Sequence, residues 1–446
     1  MCIKKYLPKL LTSFFVVVLI AACSDGGSSP ISTALGPWVG TKQLGVAGFV
    51  TNGSSVNADA SGNVYVAGHT NGGLDGNTLT GFYDFFVTKY DSSGAKQYTK
   101  QFGAAGVGGG TKGTSVATDA SGNVYVAGYT DDGLDGNVMT GTTDFFVTKY
   151  NSSGVKQYTK QLGVAGRSTQ AMSVATDSSG NVYVAGYTTG GLDGNALTGN
   201  YDFFLTKYNS SGVKQYTKQL GVAGRDTRGK SVATDANSNV FVAGSTGGGL
   251  DGNPSIGSPD FFVTKFDSNG VKQYTKQMGV VGRFTFGESV ATDTFGNVYV
   301  AGYTTGGLDG NARIGNQDFF VTKFDNGGVK QYTKQLGVVG GALVGQSVAT
   351  DLSGNVYVAG YTFNGLDGNT LAGNYDAFVT KYNNVGTKQF TKQLGVAGSN
   401  TSGTVATDLN GNVFLAGYTS GGLDGNTLIG TNDLFVTKYN SSGTKQ

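Results

Sequence analysis

One segment sets the terms for the whole chain. "DASGNVYVAG" begins at Asp59, and recognisable copies begin at Asp119, Asp177, Asp235, Asp293, Asp351 and Asp408. The steps between them are 60, 58, 58, 58, 58 and 57 residues. A unit of that period cannot bury an apolar face alone, so its copies must stack on one another. Each unit holds four strand-like runs, here named A to D. In the second unit they read "SVATD" (Ser115–Asp119), "NVYVAGYT" (Asn123–Thr130), "DFFVTKY" (Asp144–Tyr150) and "KQYTKQLG" (Lys156–Gly163). All are short, rich in Val, Tyr, Phe and Thr, and bounded by Gly, Asn, Asp and Ser.

Four antiparallel strands in each of seven units is the arithmetic of an all-β, seven-bladed β-propeller. The polarity of the runs agrees. Run A is small, as suits a place near an axis. B and C are apolar on both faces, as in a sheet held between two others. D carries Lys156 and Lys160 on alternate positions, as an exposed edge should. The seventh unit stops partway into its D run, at "SSGTKQ", and "WVGTKQLGVAG" (Trp38–Gly48) stands unpaired at the other end. The reading is that this N-terminal segment completes the last blade and closes the ring. Composition supports many short strands: 76 Gly, only 5 Pro, 24 Tyr and 26 Phe exclude both collagen and disorder. A net charge of +2 gives no pull on nucleic acid.

The pattern "DASGNVYVAGYT…DFFVTKYNSSG…KQLG" resembles the bacterial seven-bladed β-propeller repeat family, common in secreted and cell-surface proteins. The resemblance covers about Thr41 to Gln446. It implies the fold and an extracytoplasmic setting, and no defined activity.

The first residues read as a targeting segment. Lys4, Lys5 and Lys9 precede an apolar run, Leu10–Ala22, too short to span a bilayer comfortably. "IAAC" then resembles the bacterial lipobox, which implies lipidation of Cys23. The expected organisation is a signal peptide over 1–22, a flexible tether over 23–37 and one propeller domain over 38–446. Localisation follows: a lipid-anchored monomer of the bacterial cell envelope, at the outer membrane or cell surface.

Strand alternation puts the A–B and C–D turns on one face and the B–C and D–A loops on the other. The first pair is nearly invariant and reads as scaffold. The D–A loops vary most, and loops on rigid frames carry function. All five Arg of the chain fall on that second face: Arg167, Arg225, Arg228 and Arg283 in D–A loops, Arg313 in a B–C loop. Lys230, Phe284 and Phe286 join them. Guanidinium forks and aromatic rings suit a carboxylate, sulfate or phosphate on a glycan or a protein partner.

Catalytic residues are scarce. His69, the single His, stands where other units have Tyr, and Glu288 is the only Glu. The expectation is therefore a binding or scaffolding module without catalysis. A multivalent lectin or calcium-dependent adhesin is the alternative, and a glycan-processing hydrolase using Glu288 stands behind it. The sevenfold "GLDGN" loop (Gly73–Asn77 in the first unit) reads as a structural turn, since Asp and Asn tolerate positive φ. The calcium alternative would use Asp75, Asn77 and Asp84 as ligands. No other cofactor is expected.

Overall fold

The computed structural model describes residues 36–105 and 110–446, and they form seven four-stranded antiparallel sheets. The signal segment, Cys23 and all but the end of the tether lie outside the described residues. In each sheet the order is A-B-C-D, with A nearest the axis. Blade 2 shows the pattern: Lys112–Thr118, Val124–Thr130, Asp144–Tyr150 and Lys156–Leu162.

Strands B and C are buried along nearly their whole length because neighbouring blades cover both faces. The "FF" pair explains how. In blade 3, Phe203 stacks on Phe262 of blade 4 at 5.2 Å, while Phe204 stacks on Phe145 of blade 2 at 5.0 Å. One Phe thus serves each neighbour, an arrangement suited to offset ring stacking. Nearer the axis, the "SVAT" motif stitches the blades. The Ser173 hydroxyl accepts the Val232 N–H at 3.1 Å, and the Thr234 hydroxyl donates to the Thr176 carbonyl at 2.8 Å. Farther out, Lys207 donates to the Ser268 carbonyl in the next blade at 2.8 Å.

The ring closes as the repeat arithmetic expects. Lys42–Leu44 pairs antiparallel with Asp433–Tyr439 as the D strand of blade 7, with Lys42 opposite Val436 and Leu44 opposite Leu434. Between blades 7 and 1, none of the three stitches is present among the described residues. Thr404 replaces the Ser and Ala58 replaces the Thr. Trp38 fills the gap. It is 4% exposed and packs on Tyr90 of blade 1 and Phe414 of blade 7, at 6.2 and 5.7 Å between centroids. The Gly94 turn rests on Trp38 as the Gly154 turn rests on Tyr98, so this Trp takes the place of the D-strand Tyr.

Strand A differs from the sequence reading. In blades 3, 4 and 5 it runs Thr169–Thr176, Thr227–Thr234 and Thr285–Thr292, starting several residues before "SVAT". Arg228, Lys230, Phe286 and Glu288 are therefore strand residues, not loop residues. The physical reason is a close approach at a glycine of strand B, which faces a second glycine in blades 4 and 5 and Ala171 in blade 3. Gly229 lies opposite Gly244, and a Cβ on Gly244 would come within 1.9 Å of the Arg228 carbonyl oxygen. Only glycine lets the strands approach so closely. The register then slips between Gly229 and Ser231, leaving Lys230 as an extra, bulged residue. The same slip occurs at Ser54, Thr114, Met172, Glu288 and Gln346. Blade 7, one residue shorter, has no slip.

Candidate functional site

The bulge decides what faces the axis. It turns Ser54, Thr114, Met172, Lys230, Glu288 and Gln346 into a mouth of about 490 Å³ at the axis. These positions do not repeat, in a chain where almost everything else does. Lys230 and Glu288 come from adjacent blades, and their charged groups lie 3.8 Å apart. Burial raises the Glu288 pKa above the ordinary carboxyl value, and Lys230 opposes that rise. Tyr303 is pushed up to about 12 by burial and by Glu288, so its hydroxyl keeps its proton.

Beside the mouth, a cleft of about 450 Å³ opens at blade 4. Strand B explains it. Opposite Lys112, Gln170, Phe286, Val344 and Ser402 of strand A, five blades carry Tyr129, Tyr187, Tyr303, Tyr361 and Tyr418. Blade 4 carries Ser245 there, opposite Arg228. The missing ring leaves space, and Arg225, Asp226, Arg228, Lys230, Phe286 and Glu288 line it together with Tyr303. Arg228 is held in place. Its guanidinium lies 4.0 Å from the Tyr201 ring centroid and 3.1 Å from Asp226 Oδ2. Phe286 stacks on Tyr303 at 4.9 Å and 25°.

Of the residues the sequence singled out, Arg225, Arg228, Lys230 and Phe286 converge here. Arg167 and Arg283 occupy the positions matching Arg225 in the neighbouring blades. Both are exposed, with stems lying along Gly190 and Gly306, and neither lines the cleft. Phe284 is 53% exposed and stands 6.3 Å from Phe286. Arg313 turns back on its own loop, donating from Nε to the Gly315 carbonyl at 2.7 Å. Ser245, Asp226 and Tyr201 were missed. Ser245 had a signal: "VAGST" breaks the "VAGYT" pattern.

His69 occupies the Tyr position of blade 1, opposite Asn52, with Tyr83 edge-on at 5.4 Å. Burial, with Lys112 nearby, lowers its pKa to about 4. The unfolded chain takes up that proton near 6.5, so the contribution to stability is full above 6.5 and fades as pH falls toward 4. His69→Tyr should remove this term. Between pH 7 and 4.5, the variant should lose about 2 kcal/mol less than the parent in urea unfolding. Equal losses would refute the assignment.

The GLDGN loop is a brace. Asp75 holds φ 55°, the left-handed region, and forms an ion pair with Lys96. The Asn77 amide donates to the carbonyls of Leu74 and Thr99. Leu74 is fully buried in the contact between blades 1 and 7. Asp84 accepts the N–H groups of Thr80 and Gly81 at 2.8 and 2.9 Å, and the Gln101 amide at 2.9 Å. The three ligands of the calcium alternative are thus engaged separately. Among the described residues, no three His, Cys, Asp or Glu side chains could jointly hold a metal ion. EDTA and added Ca²⁺ should leave the melting temperature unchanged; a rise with Ca²⁺ would restore the metal reading.

Compared with known proteins, the chain matches the family described as "Beta-propeller repeat" (SBBP) seven times, over residues 39–75, 97–135, 157–193, 215–251, 273–309, 331–366 and 389–424. It is 27% identical to the regulatory protein FlaEY of Caulobacter vibrioides over 74% of this chain and 38% of that protein. It is 23% identical to an uncharacterized WD repeat-containing protein of Acanthamoeba polyphaga mimivirus, over 77% of this chain and 32% of the other. The chain therefore spans about a third of the length of these relatives. Among solved structures, an ulvan lyase of polysaccharide lyase family PL25 is similar at a TM-score of 0.48 and 13% identity, covering 91% of this chain and 97% of that one. The β-propeller domain of a protease from Pyrococcus furiosus gives a TM-score of 0.45 at 7% identity, covering 90% and 98%. With seven matched repeats and seven matching blades, the chain belongs to the beta-propeller repeat family.

Proposed function

We propose that this propeller is a lipid-anchored binding module of the bacterial cell envelope, engaging a protein or glycan partner through the axial mouth on the B–C/D–A face, without turnover. One observation carries the binding part. In a scaffold repeated seven times, six side chains that differ from blade to blade gather at one mouth, placed there by a bulge. Bulges that re-aim side chains are commonly found at working sites. The anchoring part rests on Lys4, Lys5, Lys9, the apolar run Leu10–Ala22 and Cys23. No helix among the described residues is long and apolar enough to cross a membrane. Two or more acyl chains on one cysteine give stable attachment.

Two experiments test this. Cys23→Ser should move the protein from the membrane fraction to the soluble fraction and abolish labelling by fatty acid; unchanged fractionation would refute the anchor. A photo-crosslinking residue placed at Gln346, in the mouth, should capture a partner on intact cells. The same residue at Ser121, in an A–B turn, should not. Adducts from Ser121 alone would move the binding face to the opposite side.

A further inference from the structure

We infer that the blade 4 cleft is a subsite for one acidic sugar residue, a pyranose bearing a single carboxylate or sulfate, within an oligosaccharide. The inference rests on the binding reading above and names its ligand class. Four features of the cleft lead to it.

The first is that the space is specific to this blade. Ser245 stands where five blades place a Tyr, and the cleft occupies the room that ring would take. At 450 Å³ it lies in the range of small-molecule sites. The second is a prepared anion receptor. Arg228 is held between the Tyr201 ring and Asp226, on which its guanidinium spends one hydrogen bond among the described residues. Arg225 lines the same cleft. A planar guanidinium so fixed suits a carboxylate or sulfate and loses little freedom on binding. The third is an apolar wall. Phe286, backed by Tyr303, offers a flat surface for the C–H face of a pyranose.

The fourth feature separates a sugar from other anions. Glu288 lines the cleft beside the cations. A carboxylate there repels a second charge on the ligand, which disfavours a phosphate dianion or a run of acidic side chains. It accepts hydrogen bonds from hydroxyl groups, which a sugar supplies. Asn200 and Ser258 extend that polar lining. One negative charge, several hydroxyls and one apolar face together describe an acidic pyranose.

Calorimetry on the full chain tests this with four probes: tetragalacturonate, its methyl ester, a sulfated galactan tetrasaccharide and hexaglutamate. Tetragalacturonate or the sulfated tetrasaccharide should bind, and which one binds identifies the charged group. The ester should bind about 30-fold more weakly than tetragalacturonate if the carboxylate is read. Arg225→Ala with Arg228→Ala should cost a similar factor. Ser245→Tyr should abolish binding while keeping the parental melting temperature, because it restores the residue other blades carry. Binding that survives Ser245→Tyr within twofold would overturn the inference, as would hexaglutamate binding as tightly as the sugar. If no acidic saccharide binds while Gln346 still captures a partner on cells, this subsite fails and the binding reading stands. If saccharide binds but no adduct forms at Gln346, the subsite stands and the wider use of the mouth fails.

Discussion

Trp38→Ala should lower the stability of the propeller by about 3–5 kcal/mol, the range for emptying a buried aromatic site. Its position argues for the upper part of that range. Every other junction between blades has three stitches besides its apolar contact: a Ser hydroxyl, a Thr or Asn hydrogen bond and a Lys. The junction of blades 7 and 1 has none of these among the described residues, and rests on its apolar cluster, in which the indole packs between Tyr90 and Phe414. The indole N–H donates to the Gly40 carbonyl at 2.9 Å, fixing its ring against the strand it precedes. A useful contrast is Tyr158→Phe at an ordinary junction. The Tyr158 hydroxyl is buried without a partner, and blade 6 already uses Phe390 there. That change should be neutral or stabilising. Since Trp38 is the only Trp, its fluorescence also reports on this one junction. On heating the parent, the indole should become solvent-exposed before the β-sheet signal in circular dichroism falls. Coincident transitions, with a loss below 1 kcal/mol for Trp38→Ala, would show that the closure is no weaker than the rest.

Asp202→Ala should come second, at about 3 kcal/mol. The carboxylate is fully buried at the start of strand C in blade 3. It accepts the Thr198 N–H at 2.8 Å, the Gly199 N–H at 2.7 Å and the Gln219 amide at 2.9 Å. Alanine would leave the Thr198 and Gly199 N–H groups without an acceptor in a place water reaches poorly, while the Gln219 amide would keep the Gly190 and Ala196 carbonyls, and orphaned donors cost more than the net worth of the bonds they made. The Gln219 amide also accepts the Leu192 N–H at 2.9 Å, so the damage should spread to the GLDGN turn and its buried Leu192. Asp202→Asn keeps one acceptor and should recover part of the loss. Chemical denaturation of both variants measures the effect; equal stability of Ala and parent would show that the loop holds itself.

The repeat made most of this fold legible. Period, strand count and the complementary ends led to seven blades and to a D strand borrowed from the N-terminal side, and Lys42–Leu44 pairs as that reading requires. The role of Asp84 was legible too, because a carboxyl group at a loop's end has few other uses. What the sequence hid was the start of strand A. "GRDTRGKSVAT" looks like a polar loop, and its glycine and charges argue against a strand. The pairing of Gly229 with Gly244 exists only once two distant segments meet, so no local preference announces it. For the same reason the Arg arc resolved only partly. Sequence order placed five Arg on one face, but the bulge, the stacking on Tyr201 and the absence of a ring at position 245 decide that Arg228 and Arg225 share a cleft while Arg313 does not.

The strand that shuts the ring also sets when folding can finish. Lys42 meets Val436, across all seven blades, so the final pairing waits until the seventh blade has been synthesised. The equilibrium cost is small. By loop-closure entropy it exceeds a contact between neighbouring blades by only roughly 2 kcal/mol. The kinetic cost is larger, because such a contact rewards the chain only after six blades are already aligned. Until then two sheet edges stand open, and both can accept a strand from another molecule. A nascent ring of this kind is most exposed to domain exchange in its last step.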